Sequence, residues 1–107
     1  MSTPFNEDYA DVPVTKVGGD DFVMTLTYGS SVAGNTFDAA VTDAVTGLTL
    51  QAISAIATNE ALGIVVLSLT AVQTLALVGK NMRWYYARTV SSVKRTELGG
   101  TFEVKRR

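Results

Sequence analysis

Carboxylates, hydroxyls and amines are the side chains from which chemistry could be built in this chain, because histidine and cysteine are both absent. Losing histidine removes the commonest general base and the commonest metal ligand together. Losing cysteine removes thiolate chemistry and any disulfide scaffold, and leaves the redox compartment open. Asp20-Asp21 puts two carboxylates side by side, but neighbours in an extended segment point to opposite faces, so they read as a solvated approach to a strand. Asp38 and Asp43 could share acid and base roles only if a hairpin held them about 5–9 Å apart, and nothing around them resembles a sugar cleft. The serines and threonines have no histidine to activate them. Gly18-Gly19 and Gly99-Gly100 lack the Lys-Ser/Thr continuation of a phosphate-binding loop. The expectation is a protein that is not an enzyme, with no catalytic residues, no cofactor and no metal.

The elements that would position any site are organised around residues 61–79, ALGIVVLSLTAVQTLALVG, which carry no charge and lie between Glu60 and Lys80. The stretch is long enough to span a bilayer. Its pattern says otherwise: Val65, Leu67 and Leu69 alternate with Val66, Ser68 and Thr70, as in a strand with one buried face. Thr70-Ala71-Val72-Gln73 then matches a capping box, in which a Thr hydroxyl and a Gln side chain satisfy each other's backbone donors. A short helix over 71–78 follows, with Val72, Leu75 and Ala76 on one face and Gly79 as its left-handed stop. Ser68, Thr70, Gln73 and Thr74 fit poorly in lipid, and the flanks have no aromatic belt, so no membrane association is expected.

Before and after this stretch the signal is β. Phe22, Met24, Leu26 and Tyr28 share one face, and Val23, Thr25 and Thr27 the other. Residues 36–43 alternate again with Phe37, Ala39 and Val41 inward, and residues 43–47 make a hairpin-like turn. In residues 48–57, Leu48, Leu50 and Ala52 share a face before Ile53 and Ala55 take the other phase, which predicts a bulge near Ala52. Residues 82–90 form an aromatic strand with Met82, Trp84 and Tyr86 inward, since a single indole usually buries in a small core. The outward Tyr85 is one aromatic on a slightly acidic protein, too little for a nucleic-acid stacking surface, so no nucleic acid is expected as partner. Residues 91–97 read as a polar loop, and 98–104 as a last strand with Phe102 and Val104 buried. Six or seven short strands at this spacing predict an all-β immunoglobulin-like sandwich with one short helix, over residues 21–107.

Residues 1–20 hold both prolines, Pro4 and Pro13, and the Gly18-Gly19 break. They read either as a tail or as an extended N-terminal arm lying on a neighbour, with Phe5, Tyr9, Val12 and Val14 as anchors. The opening residues have no basic start and no apolar run, so no signal peptide is expected.

With 107 residues there is one domain, and a hydrophobic share of 47% is ample for its core. Charged residues, at 18%, fall below the usual ~25%, and the composition reads as that of a soluble protein. Net charge is only −1, yet it is lopsided: residues 1–60 carry Lys16 as their one base, while Glu97 and Glu103 are the only acids of residues 61–107. Either interleaved strands mix these charges on one surface, or acidic and basic surfaces meet between subunits. On the second reading Lys105, Arg106 and Arg107 form a basic interface that faces the acidic arm next door.

Four pieces carry a resemblance: GNTFDAAVTD at 34–43, VVLSLTAVQTLAL at 65–77, WYY at 84–86 and LGGTFEV at 98–104. Together they resemble the small sandwich module of tailed-bacteriophage virion proteins, as in the N-terminal domain of baseplate upper and fibre-attachment proteins. The likeness runs from about residue 21 to 104, and LSLTAVQT is its most specific part. Members often carry an Asp in the aromatic strand where this chain has Ala87, and often continue into a coiled coil or a receptor-binding domain. The resemblance implies a virion-located, non-enzymatic structural subunit of the tail, baseplate or fibre-adaptor region. Its partners would be other virion structural proteins, and it would form a homo-oligomer. A cement protein on the phage head is the alternative within that class. A free-standing adhesin-like or carbohydrate-binding module is the alternative outside it.

Overall fold

The structure, a computed structural model, describes residues 10–106. Each strand forms where apolar side chains recur every second residue, and turns fall where glycine or polar residues interrupt that period. In chain order the elements are β1 (Ala10–Asp11), β2 (Val14–Val17), β3 (Phe22–Thr27), β4 (Thr36–Asp43), β5 (Thr49–Ala52), β6 (Ser54–Asn59), β7 (Ile64–Leu69), α1 (Ala71–Leu75), β8 (Met82–Val90) and β9 (Val93–Lys105). They build two sheets, one ordered β1-β9-β8-β4-β5 with β2 also on β9, the other β3-β7-β6. The protein is an all-β sandwich with one short helix. Seven of its strands lie within residues 21–107.

The core lies between the sheets. Phe22, Val41, Val65, Leu67, Leu69, Met82, Trp84, Tyr86, Phe102 and Val104 are buried there together. Full burial of an aliphatic side chain such as Val65 or Leu67 contributes about 1.5–3 kcal/mol. The inward faces expected for β3, β4, β7 and β8 are the ones observed.

The central stretch is strand, cap, helix and stop. Gln73 N donates to Thr70 Oγ1 at 3.2 Å and Thr70 N donates to Gln73 Oε1 at 2.9 Å, completing the capping box. Gly79 follows with φ +76°. The helix face needs correction. Val72 and Leu75 are exposed, whereas Thr74 and Leu77 are buried. Thr74 Oγ1 accepts from Gly19 N at 3.1 Å and lies 2.8 Å from the Asp20 carbonyl, so the helix is fastened to the bend between β2 and β3 by a polar contact. Among the described residues no helix is long and apolar enough to cross a membrane.

Residues 48–57 also differ from expectation. The change of phase is real, but its main cause is a change of sheet: β5 pairs with β4, β6 pairs with β7, and Ile53 between them is buried with its N–H on Ala39 O at 2.9 Å. Strands that turn a sandwich corner switch sheets in this way. The bulge sits earlier, between the Val41–Gln51 and Thr42–Thr49 pairs, and leaves Leu50 exposed on β5, with Leu48 exposed just before it.

The largest correction concerns the arm. β1 and β2 run parallel to β9 of the same chain, from Ala10 opposite Leu98 to Val17 opposite Lys105. Val14 is 7% exposed within the core cluster, and Val12 packs against it. These two anchors therefore bury in their own sandwich, and residues 10–17 belong to the domain and not to a separate arm ending at residue 20. Pro13 falls between the two strands, where a missing N–H leaves the ladder intact. Gly100 permits the close approach: a Cβ there would stand 2.8 Å from Asp11 Oδ1 and 2.9 Å from Val12 O. Trp84 Nε1 donates to that same Val12 carbonyl at 2.8 Å.

Candidate functional site

β8 and β9 form one long hairpin, and this hairpin helps to wall two clefts of mixed chemistry. Its turn is Ser91-Ser92, with φ of +50° and +69°. A two-residue turn with both residues left-handed matches the twist of paired strands, although Asn-Gly is its usual occupant. Because serine does not announce that turn, residues 91–97 read as a loop from sequence, whereas the turn takes only Ser91-Ser92 and residues 93–97 are strand.

Within the hairpin Tyr86 pairs with Leu98 but Ala87 pairs with Thr96, so Glu97 is an extra residue in β9. A bulge of this kind re-aims a side chain. Here the Glu97 carboxylate meets Tyr28, just beyond β3, and Arg88 of β8. Arg88 Nε donates to Glu97 Oε2 at 3.0 Å, and the Arg88 guanidinium lies 4.2 Å from the centre of the Tyr28 ring. Tyr28 donates its hydroxyl proton to Glu97 Oε1. The Tyr28 and Tyr86 hydroxyls are 2.8 Å apart. Since a carboxylate only accepts, the Tyr28 proton is committed to Glu97 and Tyr86 donates to Tyr28. Burial, then the hydrogen bond to Glu97, pushes the Tyr28 hydroxyl well above its usual value near 10. Phe37 stacks on Tyr86 with centroids 6.2 Å apart.

This chain of bonds walls a cleft of about 280 Å³ lined by Leu26, Thr27, Tyr28, Tyr86, Glu97 and Leu98. A second hollow of about 330 Å³, lined by Arg88, Val90, Val93, Arg95 and Glu97, continues from it toward the turn. Both are lined by β9, with Glu97 and Leu98 in the first and Val93, Arg95 and Glu97 in the second. β1 and β2 cover β9 from Leu98 to Lys105, while residues 93–97 have no strand partner on that side among the described residues. The cluster uses its hydroxyls and carboxylate internally, so it serves as a buttress for the mouth between the sheets, with apolar and basic walls left for a ligand.

The residues singled out from sequence are distributed elsewhere. Asp38 lies on the outer face of β4, bonded to Lys94 Nζ at 2.8 Å and to the Tyr85 hydroxyl at 3.1 Å. The Lys94 bond holds its carboxyl below the usual range. Asp43 instead caps the β4–β5 turn, accepting from Val45 N at 2.8 Å and Thr46 N at 3.0 Å, and these bonds lower its pKa. The two carboxylates have separate partners and separate duties. Lys105 and Arg106 are exposed. Phe5, Tyr9 and Arg107 lie outside the described residues. Tyr28, Glu97 and Arg88 were not singled out from sequence, because nothing local marks a bulge; the Leu98-Gly99-Gly100 run just after Glu97 is the nearest signal.

The chain matches no protein-family model, and no curated protein is significantly similar to it.

Proposed function

We propose that this chain is a non-enzymatic structural subunit of a bacteriophage virion, placed in the tail, baseplate or fibre-adaptor region and working through repeated contacts with its own copies and with other virion proteins. The observation that carries this reading is the outer face of the β3-β7-β6 sheet. Its cross-strand rows are Val23–Ser68–Ser54, Thr25–Val66–Ile56 and Thr27–Ile64, without a single charge. Val23 and Ile56 are 62% and 58% exposed. Among the described residues both outer strands of that sheet pair on one side only. Proteins that work alone normally place charges on such faces and edges to prevent association. A subunit that assembles uses them: main-chain pairing supplies affinity and side chains supply register. The resemblance of residues 21–104 to phage virion modules supplies the setting.

Gold-labelled antibody against the protein, imaged on parent particles, tests the proposal. Label at the tail or baseplate supports it, label on the head favours the cement-protein alternative, and unlabelled particles refute both. A free-standing carbohydrate-binding module is the second reading, for which the cleft of about 280 Å³ beside Leu26, Thr27 and Leu98 would be the site. A glycan array probed with monomeric protein separates the two.

A further inference from the structure

Residues 44–59 carry no charge, from the Ala44 that follows Asp43 to the Asn59 that precedes Glu60. They run through the β4–β5 turn, β5 and β6, where β5 ends one sheet and β6 ends the other. Val45, Leu48, Leu50 and Ile56 are exposed along them. Strands at such edges normally carry lysine, proline or a bulge against unwanted pairing. β5 has its bulge, between the Val41–Gln51 and Thr42–Thr49 pairs. β6 is regular against β7 from Ser54 to Ala57 and shifts register only beyond Ala57. Among the described residues β7 is its one strand partner.

Residues 1–9 cannot cover that edge. They lead from Ala10 on β1, which stands at one end of the larger sheet with β5 at the other, and β6 begins one residue after β5. With four of them laid along Ser54–Ala57, the other five would span at most about 18 Å. The crossing needs about 19 Å for the four strand spacings and about 10 Å more between the sheets.

We propose that β6 pairs antiparallel with β6 of a second copy of this chain, about a two-fold axis at Ile56, joining their β3-β7-β6 sheets into one sheet of six strands. In this register Ile56 lies opposite its own counterpart, and Ala55 lies opposite Ala57 on each side of it. The fit is self-complementary. Every side chain keeps to its own face, which a slip of one residue would reverse. No like charges meet, and like charges directly opposite are what ordinarily keep identical strands apart. The uncharged row Thr25–Val66–Ile56 continues across the axis into its own copy. Such an isologous contact closes at two copies, so the dimer is the unit that enters any larger assembly. The inference rests on the reading of the chain as a subunit that contacts its own copies.

The chain contains no cysteine, so a single introduced thiol reports the axis without background. Residues opposite each other on antiparallel strands have Cα atoms about 4.5–5.5 Å apart, a spacing that a disulfide bridges. Mild oxidation of full-chain Ile56→Cys gives a reducible dimer, and Val23→Cys on the far strand of the same sheet gives at least several-fold less. In sedimentation velocity the unmodified chain is a concentration-dependent dimer. Ile56→Lys and Ile56→Glu are each monomeric, because like charges then face across the axis, and an equimolar mixture of the two recovers dimers. Circular dichroism confirms that each variant is folded; where a charged variant is not, the cross-linking comparison decides alone. A monomeric unmodified chain, dimers that survive both charged substitutions, or equal cross-linking at Val23 overturns the proposal. Dimers linked through position 56 from a protein that is missing from particles refute the virion reading and leave this one standing. Labelled particles with a monomeric protein in solution do the reverse.

Discussion

Three side chains carry disproportionate weight because each satisfies backbone groups that would otherwise be buried or unpaired. Thr70 caps α1 from both directions, so Thr70→Ala lowers stability by about 0.5–2 kcal/mol, while Thr70→Ser is nearly silent. Equal shifts in the urea midpoint for the two variants would disprove the cap. Trp84 fills the core and also bonds the Val12 carbonyl. Trp84→Ala therefore costs about 3–5 kcal/mol, enough to unfold a domain of ordinary stability. Trp84→Phe keeps most of the packing but leaves that carbonyl short of a donor, a loss of about 1–3 kcal/mol by the same urea titration. Asp43 acts through charge at the β4–β5 turn. Its folded pKa is depressed from 3.8, so its contribution is present above that value and is lost as pH falls through the folded pKa. Asp43→Asn keeps an acceptor oxygen without the charge. It should flatten the acid limb of a thermal-midpoint against pH profile below about pH 4, while an unchanged acid limb would count against the assignment.

At the scale of elements, the notable arrangement is that the first strands complete the last one. β9 is central only because β1 and β2 lie along half of it, and Val14 brings an apolar side chain into the core with them. Deleting residues 1–19 therefore removes part of the core and exposes the whole outer edge of β9. The truncated chain is expected to melt at a clearly lower temperature, with reduced near-ultraviolet signal from Trp84, whose indole loses its acceptor. A truncation at residue 19 that melts like the full chain would show that β1 and β2 are ornaments on an independent sandwich. The helix belongs to the same system, because Thr74 holds the Gly19–Asp20 bend that delivers the chain from one sheet to the other.

For the whole molecule, both sheets depend on the mouth where they meet, and that mouth is held by tyrosine hydroxyls. Burial is the leading reason that Tyr28, Tyr85 and Tyr86 all have raised pKa values. A raised folded pKa means stability that is complete below the unfolded value near 10 and is lost as pH rises above it, because the unfolded chain releases those protons more easily. Alkaline unfolding should begin close to pH 10, with tyrosinate absorbance at 295 nm rising together with loss of the β signal in circular dichroism. Tyr28→Phe should shift this transition and make it less steep. Tyrosinate that forms fully before any β structure is lost would show that the buttress is open to solvent.

What sequence alone determined here is what depends on near neighbours. Alternation along residues 22–28, 36–43 and 64–69 placed side chains on their faces because the pleat repeats every two residues. The Thr70–Gln73 box was legible because both partners lie within one helical turn. Trp84 was placed inward by size and period, and the phase change at Ile53 was visible although its cause was not. The tertiary structure decided whatever depends on distant partners. Val12 meets Trp84 across 72 residues of sequence, Gly19 meets Thr74 across 55 and Tyr28 meets Glu97 across 69. No local period encodes such meetings. The inward turn of Thr74 in place of Val72, the folding of residues 10–17 onto their own sandwich, and the aim of Glu97 all follow from which strand arrives alongside, and packing sets that only once both sheets are present.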